Sequence, residues 1–435
     1  MGHQVNAGRE YRLLQQRLDR QVFGAPASPL FTRILQILFS PDDARLASRV
    51  PGRPTPLDVL AGRLGMPEDE LADKVTELAA RGVLLDFEHR GRRYAALPPV
   101  VFGFYEFVFM RTRDDVPLAE LSRLFEEYFH EDDRLMRSVF EGKTQMARAL
   151  VHEEALPRED HVEVCDWERA SRVVESASAI GISLCVCRHK ASHLGRACQR
   201  PQQCCMSFNY AAAALIRSGN ARPATPAEAL RVLEECKQAG LAQIGENVQR
   251  RLAFLCNCCG CCCGMFDAVK GFALRHAIVT SNWIATINPA RCNGCGRCAT
   301  ACPVGAIAMR PTGDAAAPRE RATCDEGLCL GCGVCYSGCK CGAVAMKPRL
   351  QRVFTPETVF DRIVLMAIER GKLADLVFDP PENLGHRAVA SLLRALERVG
   401  FVKAALAIEP LRSAFLRAAV RKAKKLSGQI VELAE

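Results

Sequence analysis

The residues with evident chemistry in this chain are its thiols. Cys292–Met309 reads CNGCGRCATACPVGAIAM, and the pattern returns as CLGCGVCYSGCKCGAVAM at Cys329–Met346. Each copy has the spacing C-x2-C-x2-C-x3-C. Three thiolates this close along a chain wrap one face of a cubane cluster, and the fourth cysteine of each run reaches the other cluster. The spacing therefore predicts two [4Fe–4S] clusters, one on Cys292, Cys295, Cys298 and Cys339, the other on Cys329, Cys332, Cys335 and Cys302. Gly294, Gly296, Gly331 and Gly333 stand between ligands, where the backbone must turn sharply and bring N–H groups toward sulfur. Zinc knuckles come instead as two well-separated cysteine pairs and do not repeat this triplet.

The copies differ after their fourth cysteine. Pro303 follows in the first, Lys340-Cys341 in the second. An ammonium beside a cluster favours its more negative, reduced state and raises its potential. Cys341 and Cys324 are spare thiols near the ligands, read as neighbours rather than ligands.

A second region is denser still. Cys185, Cys187, Cys198, Cys204 and Cys205 form one group, and Cys256, Cys258, Cys259, Cys261, Cys262 and Cys263 form another. Structural core cysteines do not occur as CNCCGCCC, so these eleven are read as metal ligands, with iron–sulfur favoured over zinc because the region leads into the tandem run. They suffice for one or two further iron–sulfur clusters. Adjacent cysteines cannot all point at one metal, so some must lie outside the ligand set. Arg188 and Lys190 offset the anionic charge of such a site, and His189 and His193 are read as flanking groups. The stretch between the groups reads as helices, with a start at Thr225-Pro226 and Glu228 and a stop at Gly240, and a last helix in ENVQRRLAFL.

The tandem run resembles the bacterial-type dicluster ferredoxin family over residues 286–350, and in that family the clusters lie close enough to exchange electrons. The combination CVCRHK, CQRPQQCCMSF, CNCCGCCC and the dicluster run is similar to a cysteine-rich 4Fe–4S ferredoxin-like family of anaerobic and facultative bacteria. The resemblance implies electron transfer and names no substrate.

The elements that must position these thiols belong to a chain of 435 residues, long enough for several domains. With 23 cysteines in a chain of this size, reduced, metal-binding thiols in a cytoplasm fit better than a disulfide framework. The N-terminus lacks the apolar core of a signal peptide, and no apolar run is long enough to span a bilayer. The net charge of +9 is only mildly basic.

The expected fold class is multidomain α+β. It comprises an N-terminal tail or helix (1–29), a winged-helix-like domain (30–110), a helical connector (111–180), a helical cysteine-rich metal-binding domain (181–285), a ferredoxin-like dicluster domain (286–350) and a helical C-terminal domain (351–435). The 30–110 layout of helix, helix–turn–helix and hairpin resembles a winged helix. Its second helix opens with Glu68, Asp69, Glu70 and Asp73, four carboxylates where a DNA reader needs cations, so docking or a structural role is preferred over DNA binding despite the basic turn His89–Arg93. Leu411–Leu426 is a basic amphipathic stretch, a candidate for peripheral membrane contact or an acidic partner, with a solvated helix as its default reading.

The dinucleotide and P-loop glycine fingerprints are absent, as are a nucleophile elbow and HExxH. The expected function is a multi-cluster electron carrier, or the electron-transfer subunit of a larger anaerobic oxidoreductase complex, working with redox partner proteins. The alternatives are a redox-sensing winged-helix regulator and an oxidoreductase whose unusual cluster at 185–263 acts on substrate.

Overall fold

A computed structural model describes residues 8–156, 164–311 and 320–377. It is mixed helix and sheet and divides into two compact units. Of the described residues, the first holds 8–144, 214–221 and 358–377, and the second holds 145–156, 164–213, 222–311 and 320–357. No helix among the described residues is long and apolar enough to cross a membrane. The basic stretch Leu411–Leu426 lies outside the described residues.

In the first unit, helices Pro29–Leu38 and Pro41–Ala47 begin at serines with proline next, the pattern for an N-terminal cap. Ser40 and Asp43 close a capping box on the second of them. Helices Leu57–Leu64 and Glu68–Ala80 follow. The hairpin Leu85–His89 with Arg92–Ala96 turns at Arg90-Gly91, both left-handed as a two-residue turn requires. Thr55-Pro56, expected as helix, instead adds a third strand beside Arg92–Ala96. Behind these elements Phe31, Phe104, Tyr105, Tyr128, Phe125 and Phe129 pack their rings together.

The second unit corrects the expectation of a helical cysteine-rich domain. Its centre is a six-stranded antiparallel sheet in the order Ala147–Leu150, Ala242–Glu246, Phe254–Cys258, Gln203–Phe208, Ile180–Leu184, Arg222–Pro223. Two strands, Ala147–Leu150 and Ile180–Leu184, begin in the stretch expected as a helical connector. The segment ENVQRRLAFL is no helix: it leaves one strand and enters the next, with Ile244 opposite Cys256. Alanine and leucine content suggested helix locally, and pairing across the sheet overrode it.

The spacer helix Pro226–Gln238 forms as the residues predict. The Thr225 hydroxyl accepts from the Glu228 N–H, and Pro226 occupies the first turn. At its end the Gly240 N–H donates to Lys237 O and the Leu241 N–H to Cys236 O, a Schellman stop that packs Leu241 against Cys236. Past this sheet, Trp283–Ile287 pairs with Val344–Pro348 and Ile307–Pro311 with Glu320–Cys324. Two short helices, Arg297–Ala301 and Val334–Gly338, pack against each other between them.

Candidate metal centres

Each copy of the tandem motif is a tight loop that enters a short helix carrying its third cysteine, Cys298 or Cys335, both buried. The loops need glycine for space as well as conformation. Gly331 has φ +72°, and a Cβ there would run into the Trp283 carbonyl and the Ser281 hydroxyl. Its counterpart Gly294, φ +77°, would strike the carbonyl of Glu320. A neighbouring strand thus presses against each ligand loop and holds it in shape.

The fourth cysteines cross over. Cys302 faces Cys332 and Cys335, and also Cys324, whose thiols it perturbs, and Cys339 faces Cys298. Cys302, Cys329, Cys332 and Cys335 together line one small cavity, flanked by Ile307, Leu330 and Met346. Backbone N–H groups point at sulfur in both halves: Ala306 donates to Cys302 Sγ at 3.2 Å and Ala343 to Cys339 Sγ at 3.3 Å. Four converging thiols around a cavity, with amides aimed at their sulfurs, is a donor set that fits an iron–sulfur cubane.

The spare thiols both lie beside these sets. Cys324 is within hydrogen-bonding reach of Cys329, which together with burial raises the Cys324 thiol. Cys329 is in turn lowered to about 6, first by Cys324 and then, against burial, by backbone N–H groups and Arg349. Cys341 Sγ lies 3.6 Å from Cys339 Sγ. Lys340 is exposed. The cation closest to the second set is Arg349, which donates to the Cys329 carbonyl at 2.5 Å.

The eleven cysteines of the second region come together across the sheet, because Gln203–Phe208 and Phe254–Cys258 are neighbouring strands. Ten of them separate into two groups. Cys185 meets Cys205, Cys205 meets Cys256, Cys256 meets Cys258, Cys258 meets Cys263, and Cys263 meets Cys187, which faces Cys185 again. The six sulfurs form one connected, ring-like cluster, in which the link from Cys187 back to Cys185 is one of charge rather than contact. Strand alternation builds it: Cys256 and Cys258, two apart, share a face. Asn257 between them donates to the Cys204 carbonyl at 2.9 Å. The other group, Cys198, Cys259, Cys261 and Cys262, has all four Sγ atoms within 4.8 Å of one another.

Cys204 belongs to neither. It touches Cys185 and accepts from Arg188 Nη2 at 2.6 Å. Arg188 is fully buried, and its Nη1 donates to the Asn257 carbonyl at 3.2 Å. Sequence reasoning passed over Cys236, which is buried and in reach of Cys204. The signal was available: Ala229, Leu233 and Cys236 form the buried stripe of the spacer helix at helical spacing. His189 and His193 pair with each other, Nε2 to Nε2 at 3.3 Å.

The charges of the ring thiols are unbalanced among themselves. Cys185 has its thiolate favoured by Cys204 but is pushed up to about 12 by Cys205 and by burial. Cys256 is drawn down to about 6 by Cys205 and Cys258 against burial. Neighbours in the ring share protons, because one buried arginine cannot balance six thiolates. Bound metal cations would supply the missing charge and displace those protons.

A family described as a 4Fe–4S binding domain matches residues 284–307, which span the first ligand run. No curated protein and no solved structure matches the chain. The family match and the clustered cysteines make this a 4Fe–4S protein.

Proposed function

We propose that this chain is a multi-cluster, ferredoxin-like electron carrier, or the electron-transfer subunit of a larger oxidoreductase. The observation that carries the reading is the convergence of Cys302 on Cys329, Cys332 and Cys335 around one cavity, matched by that of Cys339 on Cys298. The two sets would hold two [4Fe–4S] clusters, and the six-sulfur ring would hold further iron.

Bound clusters supply one-electron transfer. The protein's part is to hold the thiolates, exclude water and set potentials. The Ala306 and Ala343 amides stabilise added negative charge at Cys302 and Cys339, which raises potential. Arg349 does the same beside Cys329. Arg188 plays this part at the edge of the ring, where its burial strengthens the effect.

We read the three-helix and hairpin arrangement at 30–110 as a winged helix used for docking. Glu68, Asp69, Glu70 and Asp73 are exposed on its last helix before the hairpin, Glu68–Ala80, and the hairpin's Arg92 and Arg93 are engaged by Asp58 and Asp86. Both features disfavour a phosphate backbone and suit a redox partner protein. The arrangement of helices and strands still favours the redox-sensing regulator as a second reading.

Anaerobic iron and sulfide quantitation with EPR of the reduced protein tests the proposal. We expect two interacting [4Fe–4S] signals and iron beyond the roughly eight that two cubanes hold. Absence of reducible clusters would sink it. Specific, salt-dependent binding of genomic DNA fragments by the holoprotein would favour the regulator instead.

A further inference from the structure

We propose that Cys198, Cys259, Cys261 and Cys262 form a closed four-thiolate site for a single tetrahedral metal ion, zinc or iron, separate from the six-sulfur ring and from the two ferredoxin-type sets. The inference deepens the reading of residues 185–263 as metal-binding, and it stands independently of electron transfer.

The argument is one of distance. A tetrahedral ion with metal–sulfur bonds of ~2.3 Å sets its thiolates ~3.8 Å apart. Cys198 Sγ to Cys259 Sγ is 3.8 Å, Cys261 Sγ to Cys262 Sγ is 3.6 Å, and all four lie within 4.8 Å of one another. The thiolates of a cubane sit on four different irons and stand roughly 6 Å apart. Among the described residues, the ferredoxin-type cysteines form no group as tight as this one. The chain therefore spaces its thiols differently for different occupants. Tetrahedral four-sulfur coordination selects zinc or a single iron.

Four protein ligands leave no open position, so the site is structural. Its place in the chain says what it secures. Cys198 comes from the loop that leads into Gln203–Phe208, and the other three come from the turn after Phe254–Cys258. A metal here clips that loop to that turn. The turn also carries the ring cysteines: Cys258 precedes Cys259, and Cys263 follows Cys262. Successive residues point to opposite sides, so fixing one group fixes the other. Arg200 supports the clip, donating through Nε to the Ala239 carbonyl at 3.0 Å, with Nη1 3.8 Å from Cys261 Sγ. Its charge offsets part of the −2 of a divalent ion bound by four thiolates. Gly260, inside the turn, lies so close to Pro303 that a Cβ would come within 2.7 Å of its carbonyl oxygen, which leaves the turn little freedom to move away.

The test is metal analysis of full-length protein purified anaerobically, with X-ray absorption at the zinc and iron edges. We expect one ion per chain that is not accounted for by acid-labile sulfide, in a shell of four sulfurs at ~2.3 Å. Cys261→Ser, at the exposed ligand, and Cys198→Ser should each lose that one ion. The reduced-cluster EPR of the ferredoxin-type sets serves as the control for folding and should persist. A zinc-edge signal identifies zinc, and a high-spin ferric signal without sulfide identifies a single iron; either supports the proposal. It is overturned if the variants lose iron and sulfide together in cubane proportion, if they lose no metal, or if native Cys261 and Cys262 are found as a disulfide. Failure of the electron-transfer reading would appear separately, as silent EPR with this ion still in place.

Discussion

The backbone N–H of His152 donates to the carbonyl of Cys332 at 3.0 Å, and its ring Nε2 meets the carbonyl of Leu241 at 3.0 Å. One fully buried residue thus touches a ligand loop of the ferredoxin-type module on one side and the thiol core on the other, since Leu241 packs among Cys185, Cys204, Cys205, Cys236 and Cys259. A carbonyl only accepts, so Nε2 carries the proton. Nδ1 has no hydrogen-bond partner among the described residues.

His152→Leu keeps the volume and removes the bond to Leu241. The orphaned buried carbonyl should cost about 1–3 kcal/mol in denaturant unfolding. Cluster content should be retained, and reduction of the ring site through the ferredoxin-type module should slow in stopped-flow traces. Unchanged stability and unchanged kinetics would remove His152 from the path.

Gly331→Ala forces a methyl into the Trp283 carbonyl at a left-handed φ. Iron should be lost from the set holding Cys329, Cys332, Cys335 and Cys302, while the other set keeps its EPR signal. Gly294→Ala should do the converse, through Glu320. A protein that loses both signals in either variant would show that the sets assemble as one unit.

Cys302→Ser and Cys339→Ser test the crossover. Cys302→Ser should perturb the cluster of the second motif and Cys339→Ser that of the first, each opposite to its place in the chain. Cys324→Ser and Cys341→Ser should leave iron content unchanged. The potential should move in the Cys324 variant, whose thiol lies against Cys329.

Asp43 gives a pH dependence that can be separated from metal chemistry. Burial would raise its carboxyl, but the Ser40 hydroxyl and the guanidinium of Arg81, 3.0 Å away, lower it further, with help from Lys74. Its folded pKa lies below the ordinary 3.8, so its stabilisation is complete above that value and is lost as pH falls through the depressed pKa. Asp43→Asn should cost about 1–3 kcal/mol at pH 7. The gap from the native protein should narrow below pH 3.8, measured by chemical denaturation of the metal-free forms. A gap that stays constant with pH would sink the assignment.

Arg188→Met removes the buried cation from Cys204. The Cys204 sulfur and the Asn257 carbonyl would lose their buried donor, at a cost of about 1–3 kcal/mol. Metal analysis should show loss from the ring while the family-matched module keeps its iron.

Much of the chemistry was legible because it is local. A triplet of cysteines at three-residue steps wraps one metal face whatever surrounds it, so the tandem motif could be read from spacing alone. The helix start at Thr225 and the stop at Gly240 were equally local, since a hydroxyl and a left-handed glycine act within a few residues. The sheet was not legible. Ala242–Glu246 and Phe254–Cys258 became strands by pairing with each other and with distant segments, and their composition gave no strong hint. That pairing decided which thiols share a site. In the sequence, CNCCGCCC is one uninterrupted cluster. In the structure, alternation along one strand and a turn at Gly260 send Cys256, Cys258 and Cys263 to the ring and Cys259, Cys261 and Cys262 to the four-sulfur group. Sequence alone determined that thiols are concentrated here far beyond what a core needs, a composition that suits metal binding. Only the tertiary structure decided how they divide, because side-chain direction in a strand has meaning only once the strand and its partners are in place.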